Sequence, residues 1–350
     1  MLPLLAVQEE TARSVLPADV WAYFAGGAGG QRSAGEAVAA WERVRLRPRV
    51  LRDVSAVDPA TRVLGTPVAA PLLVGPTALH TLAHPEGEVA TARAARAAGS
   101  LLVVSTRCGM PLEQVAAAAG PWWLQVYVLR DRGLTAALVQ RAVAAGARAL
   151  VLTGDTPYLG VRRSGPLPAA AGTAYLANLE QHLGAGARVA EVTAQDPSVG
   201  LDAIGWLAGV SGLPVLVKGV LRGDDARDCL AAGAAGVVVS NHGGRQLDGA
   251  VATARALPEV VAAVGDAAEV YVDGGLRDGP TVLSALAMGA RAVLLGRPVL
   301  WALAAGGAAG VGALLDGLRE DLVAALALAG MPTIDAVDAS LLAPGPAALG

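Results

Sequence analysis

Residues 232–240 have the sequence AGAAGVVVS, and the same pattern returns three times along the chain, at 97–105, 145–153 and 288–295. In each case a small residue and a glycine, which commonly end a helix, precede a run of four or five apolar residues. The apolar runs do not alternate with polar residues, which is typical of strands buried on both faces. Helices that alternate with such strands predict an α/β protein with a parallel sheet.

Eight strands of this kind can be counted, and they predict a (β/α)8 TIM barrel, for which about 250 residues is typical. They are Val68–Val74, Leu101–Ser105, Trp122–Tyr127, Leu150–Thr153, Val215–Lys218, Val237–Ser240, Val270–Asp273 and Val293–Leu295. A doubly wound sheet is the alternative, but it would carry phosphate-binding glycines after its first strand, and none are there. The predicted organisation is an N-terminal extension over 1–66, helical around Leu16 to Trp41, a barrel over 67–330 and a Pro- and Ala-rich tail over 331–350.

The composition excludes several classes of protein. Of 350 residues, 54% are hydrophobic and 16% charged, which excludes a disordered chain. A net charge of -3 without a basic run argues against a nucleic-acid partner. No signal peptide or convincing membrane-spanning segment is recognised, and no metal site is expected. Cys108 and Cys229 are interpreted as reduced thiols, so a cytoplasmic protein is expected.

Polar residues concentrate at or just beyond the carboxyl ends of the predicted strands, which form the active-site face of a TIM barrel. They are Ser105, Gln125, Tyr127, Thr153, Asp155, Lys218, Ser240, Asn241, His242, Asp273 and Arg297. Each one singly could simply begin a loop, so the concentration is the informative feature. Lys218 is the only lysine in the chain. The presence of one lysine among many arginines indicates a site that needs a compact ammonium group, and chance is the alternative.

Two glycine-containing segments, Asp273 to Arg277 and Leu295 to Arg297, follow the last two strands. Barrels commonly bind phosphate there through backbone N–H groups and a helix N-terminus. Phosphate binding is the favoured interpretation, and two tight turns are the alternative. Residues 240–249, SNHGGRQLDG, place His242 three residues before Arg245 on a glycine-rich turn. The arginine can hold a carboxylate while the histidine takes a proton near neutral pH.

With these motifs the sequence resembles the FMN-dependent α-hydroxy acid oxidases and dehydrogenases, a family that includes glycolate oxidase, lactate oxidase and mandelate dehydrogenase. The resemblance covers about Leu16 to Gly330 and is carried mainly by SNHGGRQLDG. Further matches are residues 83–88, 155–157, 217–219, 273–277 and 296–297. Phe24–Ala28 and Trp301–Ala305 look most like the hydroxymandelate oxidases of that family.

The resemblance implies a role for each matching residue. His242 would be the base, Asp155 would orient it, Tyr127 would contact the reacting hydroxyl, and Lys218 would lie beside the flavin. Substrate binding is implied for Tyr23, Arg162 and Arg245. The residues implied to bind FMN are Thr77, Ala78, Ser105, Gln125, Thr153, Lys218, Ser240, Asp273, Gly275, Arg277, Gly296 and Arg297.

The chain also departs from the family. Arg107 stands where glycolate oxidase has a tryptophan after the second strand, so a cation is expected in the substrate pocket. Such a cation should need either water or an acceptor, which favours substrates with a polar far end; the alternative is that Arg107 points into solvent. The segment 163–198 is shorter than its family counterpart and lacks the apolar anchor of membrane-bound mandelate dehydrogenase. We interpret it as a lid loop.

The predicted function is FMN-dependent oxidation of a 2-hydroxy acid, with an aryl, mandelate-like acid as a candidate, to the 2-oxo acid. Ala78 favours an oxidase, which reduces O2 to hydrogen peroxide; the alternative is a dehydrogenase that uses a quinone or protein acceptor. A barrel that binds phosphate without catalysis would lack His242, Arg245 or Asp155, and a nucleotide dehydrogenase would need a cysteine where His242 stands. The resemblance also implies a homo-oligomer, usually a tetramer.

Overall fold

A computed structural model describes residues 1–180, 183 and 189–344. Eight of its strands are parallel and close into a barrel in the order β10-β3-β4-β5-β6-β7-β8-β9, which confirms the predicted TIM barrel. In chain order the strands are β1 Thr61–Val63, β2 Thr66–Val68, β3 Leu72–Val74, β4 Leu102–Val104, β5 Trp122–Val126, β6 Leu150–Thr153, β7 Val215–Val220, β8 Gly236–Val239, β9 Glu269–Asp273 and β10 Ala292–Leu295.

The helices of the described residues surround this barrel and extend it at the N-terminus. They are α1 Pro3–Val15, α2 Ala18–Ala25, α3 Arg32–Glu42, α4 Gly87–Ala97, α5 Leu112–Ala118, α6 Arg132–Ala144, α7 Val189–Val192, α8 Asp202–Ser211, α9 Gly223–Ala231, α10 Thr253–Val264, α11 Gly279–Ala287 and α12 Arg297–Ala329. The N-terminal segment is helical, as predicted, but its first helix begins well before Leu16. Pro17 and the glycine-rich stretch 26–30 separate its three helices.

The prediction of one strand over Val68–Val74 was wrong. Val68 ends β2, which pairs with β1 in an antiparallel hairpin, and the barrel strand starts at Leu72. Pro71 lies between the two and has no N–H to donate to a strand ladder, so the chain turns there instead of continuing. Val63 and Val68 pack with the interior residues of the barrel. The hairpin thus covers the amino-terminal end of the barrel.

The interior of the barrel at that end is closed by apolar side chains. Trp123 and Tyr271 are completely buried and meet edge to face, with ring centroids 5.6 Å apart. Leu73, Val151 and Leu294 belong to the same interior cluster. Because the amino-terminal end of the barrel is filled, a cavity can open only at the carboxyl ends of the strands, where the polar groups lie.

Helix α12 is long and apolar enough to cross a membrane by length and composition, and no other helix among the described residues is. More than half of its apolar window is buried, and it packs against α1, α4 and α11. The backbone leaves helical geometry at Gly306 and Gly307. Gly307 has φ of +56°, and a Cβ there would lie 2.9 Å from the Nε2 atom of His84, so the break brings the helix onto the segment that follows β3.

Candidate active site

A cavity of about 520 Å³ opens at the carboxyl ends of the barrel strands. Its volume is in the range typical of ligand-binding sites. Most of the residues that the sequence predicted for the site line it: Tyr23, Thr77, Ala78, Ser105, Arg107, Gln125, Tyr127, Thr153, Arg162, Lys218, His242, Arg245, Asp273, Gly275, Arg277, Gly296 and Arg297. Three others do not line it. Asp155 and Ser240 lie behind the wall, where they bind His242 and Lys218, and the side chain of Asn241 accepts from the N–H of Gly244.

His242 and Asp155 form a buried pair at one side of the cavity. The Nδ1 atom of His242 lies 3.0 Å from Oδ1 of Asp155, which leaves Nε2 free to face the cavity. Burial and the nearby Lys218 lower the pKa of His242 below its ordinary value, although Asp155 opposes them. Burial alone would raise the pKa of Asp155, but His242 and Lys218 outweigh it and the pKa is lowered. The pair therefore consists of a neutral imidazole and a carboxylate near pH 7.

The backbone of His242 is held in an uncommon conformation. Its φ is +57°, in the left-handed region that residues other than glycine rarely adopt, and such strain is typical of functional sites. The N–H of His242 donates to Oγ of Ser240 at 3.0 Å, and the side chain of Asn241 accepts from the N–H of Gly244 at 3.2 Å. These bonds fix the turn that presents the imidazole.

Lys218 lies on β7 and lines the cavity. Its ammonium donates to Oγ of Ser240 at 2.9 Å and forms an ion pair with Asp273 at 3.3 Å. Burial alone would lower the pKa of Lys218, but Asp273 and Asp155 outweigh it and the pKa is raised. The only lysine of the chain is thus a permanent, buried positive charge beside His242 and Tyr127.

Two arginines that pack against Tyr23 provide a site for an anion. The guanidinium carbons of Arg245 and Arg162 lie 5.0 Å and 5.2 Å from the centroid of the Tyr23 ring. Burial and the neighbouring Arg162 lower the pKa of Arg245, and the Nε atom of Arg162 is buried without a hydrogen-bond partner. Among the described residues, neither arginine has a carboxylate within ion-pair distance. A carboxylate of a ligand would supply the missing partner.

A network of polar side chains surrounds Gln125 on β5. Its Nε2 atom donates to Oγ1 of Thr153 at 2.9 Å, and its Oε1 atom accepts from the N–H of Thr106 at 3.0 Å and from Oγ of Ser105 at 3.3 Å. Further along the cavity, Oγ1 of Thr77 lies 2.6 Å from Nε2 of the buried His80. These groups can bond a planar heterocycle along one edge.

Arg277 and Arg297 line the cavity after β9 and β10. Burial lowers the pKa of each guanidinium to about 10, and the Nε atom of Arg277 is buried without a partner. Gly296 is the N-cap of α12 and has no side chain with which to cap that helix. Two buried cations, an uncapped helix N-terminus and an orphaned donor fit a phosphate dianion. The described residues therefore fit a group that is a polar heterocycle at one end and a phosphate at the other.

Gly275 shows how tightly this end of the cavity is built. It has φ of +93°, and a Cβ there would lie 2.2 Å from the carbonyl oxygen of Ala37. Nearby, Nε1 of Trp41 donates to the carbonyl oxygen of Gly274 at 2.8 Å. The loop after β9 is thus packed directly on α3, and only glycine can occupy position 275 without displacing one of them.

Arg107 lines the cavity, so it does not simply point into solvent. It donates a hydrogen bond from Nη2 to the carbonyl oxygen of Thr193. Part of the predicted lid also lines the cavity, through Leu167 and Tyr175. Asn178 anchors that part, because its Oδ1 atom accepts from the N–H of Leu112 at 2.8 Å. Residues 181, 182 and 184–188 of the predicted lid, and 345–350 of the tail, lie outside the described residues, and the lid function stays a prediction.

Several residues of the cavity wall were missed from the sequence: Phe24, Leu79, Arg130, Tyr158, Leu159, Leu167, Tyr175, Ala194, Gln195, Leu294, Pro298 and Leu300. Many of them lie in irregular loops, where no periodicity indicates which side chains face inwards. The roles of Gln246 and Asp248 were also missed. The Nε2 atom of Gln246 donates to the carbonyl oxygen of Asp155 at 2.9 Å, and Oδ2 of Asp248 accepts from the N–H of Gly30 at 2.8 Å.

The fold and this site together define a flavin-dependent barrel enzyme, and comparison with known proteins gives the family. Residues 12–344 match the FMN-dependent dehydrogenase family, so the chain belongs to that family and its cofactor is FMN. An L-lactate oxidase from Nostoc sp. is 46% identical, with 95% of this chain and 96% of the relative covered. A 4-hydroxymandelate oxidase from Amycolatopsis orientalis is 45% identical, with 95% and 96% covered.

Solved structures agree with the sequence comparison. Mandelate oxidase with (S)-4-hydroxymandelic acid superimposes with a TM-score of 0.87 at 42% identity, and 97% of this chain and 98% of that chain are covered. The resemblance predicted from the motifs, including the likeness to hydroxymandelate oxidases, is therefore confirmed.

Proposed function

We propose that this protein is an FMN-dependent oxidase that converts a 2-hydroxy carboxylic acid to the 2-oxo acid and reduces O2 to hydrogen peroxide. The observation that carries the proposal is the placement of a neutral, carboxylate-oriented imidazole in one cavity with two unpaired arginines. A base and an anion site at one cavity suit a substrate that has a carboxylate and must lose a proton. The names of the relatives, L-lactate oxidase and 4-hydroxymandelate oxidase, support the same chemistry.

The carboxylate of the substrate is assigned to Arg245 and Arg162. Arg245 is held by hydrogen bonds to the carbonyl oxygens of Tyr23 and Gly26, at 2.7 Å and 2.9 Å. Because its side chain is fixed before a ligand arrives, little conformational entropy is lost when it binds one. Its planar guanidinium can make two parallel bonds to a carboxylate. These two arginines thereby set the orientation of the substrate.

His242 is assigned the removal of the substrate proton. Its free Nε2 atom is the acceptor, and Asp155 holds the other nitrogen and stabilises the imidazolium that forms. Tyr127 lines the cavity beside this pair, and burial raises the pKa of its hydroxyl, so it stays protonated and can donate to the reacting oxygen. The three side chains together remove one proton from the substrate.

FMN, when bound, supplies the acceptor for the two electrons and the second hydrogen that leave the substrate, while His242 takes the first hydrogen as a proton. Lys218, Gln125, Thr153 and Ser105 would hold its ring, and Arg277 and Arg297 would hold its phosphate. The buried ammonium of Lys218 favours negative charge at the ring end of the cavity, and Asp273 keeps that ammonium in place.

The purified holoprotein tests the proposal. Anaerobic addition of a panel of 2-hydroxy acids, among them lactate, glycolate and mandelate, should bleach the flavin absorbance with at least one of them. Admission of air should restore the absorbance and yield one hydrogen peroxide per substrate. Bleaching that persists in air but is reversed by a quinone would favour a dehydrogenase, and no bleaching with any acid would refute the function.

Two further properties belong to the proposal. A cytoplasmic location was predicted from the two unpaired thiols, Cys108 and Cys229, both of which are buried. A homo-oligomeric assembly was predicted from the resemblance. Both stay predictions, which fractionation of the source cells and light scattering of the purified protein would test.

A further inference from the structure

Arg107 has a donor that nothing in the described part of the chain satisfies. Its Nη2 atom donates to the carbonyl oxygen of Thr193, and its guanidinium carbon lies 5.7 Å from the centroid of the Tyr175 ring. Its Nη1 atom is buried and has no hydrogen-bond partner. A buried donor without an acceptor is costly, and more so when it carries charge.

The surroundings of Arg107 do not neutralise its charge. Within the described ranges no carboxylate lies within ion-pair distance of it. Burial lowers its pKa, and the groups that oppose this shift are the hydroxyls of Tyr127 and Tyr175. Asp273 is the one carboxylate among the described residues that line the cavity, and it is paired with Lys218. Nη1 therefore needs an oxygen that the described residues do not supply, either from a ligand or from a water that a ligand can replace.

Arg107 is separate from the arginines assigned to the substrate carboxylate. Arg245 lies over the Tyr23 ring and donates to the carbonyl oxygen of Tyr23 at 2.7 Å. Arg107 instead donates to the carbonyl oxygen of Thr193. Tyr127 lies next to Arg107 in the barrel wall, because its N–H donates to Oγ1 of Thr106, the residue before Arg107, at 3.1 Å. A substrate that is bound at Arg245 and presents its hydroxyl to Tyr127 would therefore have Arg107 beside it, on a part of the wall that its carboxylate does not occupy.

The wall beside Arg107 is polar and fixed in position. Ala194 and Gln195 line the cavity next to Thr193, and so does Arg130. The N–H of Arg130 donates to the carbonyl oxygen of Ala194 at 2.9 Å, which ties this segment to the end of β5. Arg107 thus stands in a preorganised polar corner, where an oxygen of a ligand would be bound without rearrangement.

We propose that Arg107 binds the end of the substrate remote from its carboxylate, so that the enzyme prefers 2-hydroxy acids whose side chain ends in an oxygen acceptor. This inference rests on the proposed function. Two kinds of side chain share the required chemistry, a hydroxyaryl group and a second carboxylate, and the experiment separates them.

The test measures kcat/KM for two matched pairs of substrates. One pair is 4-hydroxymandelate and mandelate, and the other is 2-hydroxyglutarate and 2-hydroxyhexanoate. We expect the wild type to prefer the acceptor-bearing member of at least one pair, and Arg107→Met to lower that preference by about 10- to 100-fold, the effect of losing one charged hydrogen bond. Arg107→Lys should retain part of any preference for 2-hydroxyglutarate, because the positive charge remains. It should retain a smaller part of any preference for 4-hydroxymandelate.

Arg132→Met is the matched control, because Arg132 packs over the Trp206 ring on the outer helices and does not line the cavity. It should leave both ratios unchanged. A second measurement needs no turnover: dissociation constants of the corresponding 2-oxo acids, determined from the change that they cause in the flavin spectrum, should show the same loss of preference. FMN content and the melting temperature identify any variant that is merely misfolded.

The outcomes distinguish a failure of the role assigned to Arg107 from a failure of the proposed function. If Arg107→Met lowers kcat/KM equally for both members of each pair, Arg107 only fixes the segment at Thr193 and the inference is overturned. An absence of preference in the wild type overturns it as well. If no 2-hydroxy acid bleaches the wild-type flavin, the proposed function itself fails, and the inference fails with it.

Discussion

Replacement of Asp155 by asparagine should slow flavin reduction and move its pH dependence in a defined direction. At an effective dielectric constant of about 20, two unit charges at the observed 3.0 Å attract by about 5 kcal/mol. Since about 1.4 kcal/mol is a tenfold change in rate, complete loss of this attraction would cost about 10⁴-fold. The imidazolium is only partly formed in the transition state and asparagine retains an acceptor, so we expect about 10²- to 10³-fold.

The direction of the pH shift follows from the same pair. Neutral His242 is the base, and its pKa is already below the ordinary value of about 6.5 because of burial and Lys218. The reduction rate should therefore rise with pH through an inflection below 6.5 in the wild type. Asp155 raises the pKa of His242, so its removal should move the inflection to still lower pH, with a lower plateau.

Stopped-flow measurement of anaerobic flavin reduction from pH 4.5 to 9 would test this. The matched control is Asp196→Asn, because Asp196 is a half-buried carboxylate that does not line the cavity. It accepts from the N–H of Ser198 at 3.0 Å, a role that asparagine can fill. The control should retain the wild-type profile. An inflection that moves to higher pH in Asp155→Asn, or a plateau within threefold of the wild type, would refute the role assigned to Asp155.

Three other substitutions test separate parts of the site. His242→Ala should still bind FMN, but the substrate should reduce the bound flavin about 10²- to 10⁴-fold more slowly, because only the base is lost. A wild-type rate of flavin reduction would refute the assignment. Lys218→Arg should lower the reduction potential of bound FMN, because a planar guanidinium cannot occupy the place of a compact ammonium; an unchanged potential in a spectroelectrochemical titration would contradict this. Gly275→Ala should lower the free energy of unfolding by more than about 1 kcal/mol and weaken the binding of FMN. Gly233 has a similar φ but open space around it, so Gly233→Ala should lower stability less. Equal melting temperatures of the two variants would show that the contact with Ala37 is relieved at little energetic cost.

The parts of the fold that follow from periodicity were predicted correctly. The buried strands stand out because both of their faces are apolar, and Val237–Ser240 and Val293–Leu295 were placed to within a residue. Val68–Val74 was misassigned because an apolar run does not reveal a turn inside it. Pro71 was the available indication, since a proline in the middle of a central strand argues against that strand.

The candidate site was predictable where a motif carried it and not elsewhere. The turn at His242 and the two glycine segments are local in sequence, so their residues could be named. Tyr175, Gln195 and Arg130 reach the cavity through irregular segments whose paths depend on tertiary contacts, such as the isolated bridge between Leu129 and Gln195. The distinct contribution of Gln246, which holds the segment at Asp155 rather than the ligand, likewise requires coordinates.

The N-terminal extension is part of the site rather than an addition to the barrel. Helix α2 ends at the cavity, and its last carbonyl groups have no partner within the helix. Arg245 donates to the carbonyl oxygens of Tyr23 and Gly26, and Arg297 donates to that of Gly26 at 3.0 Å and to that of Gly243 at 2.8 Å. The negative end of the helix dipole therefore faces two buried guanidinium groups and offsets part of their desolvation. One helix end thereby holds both the arginine assigned to the substrate carboxylate and the arginine assigned to the phosphate, and links them to the turn that carries His242.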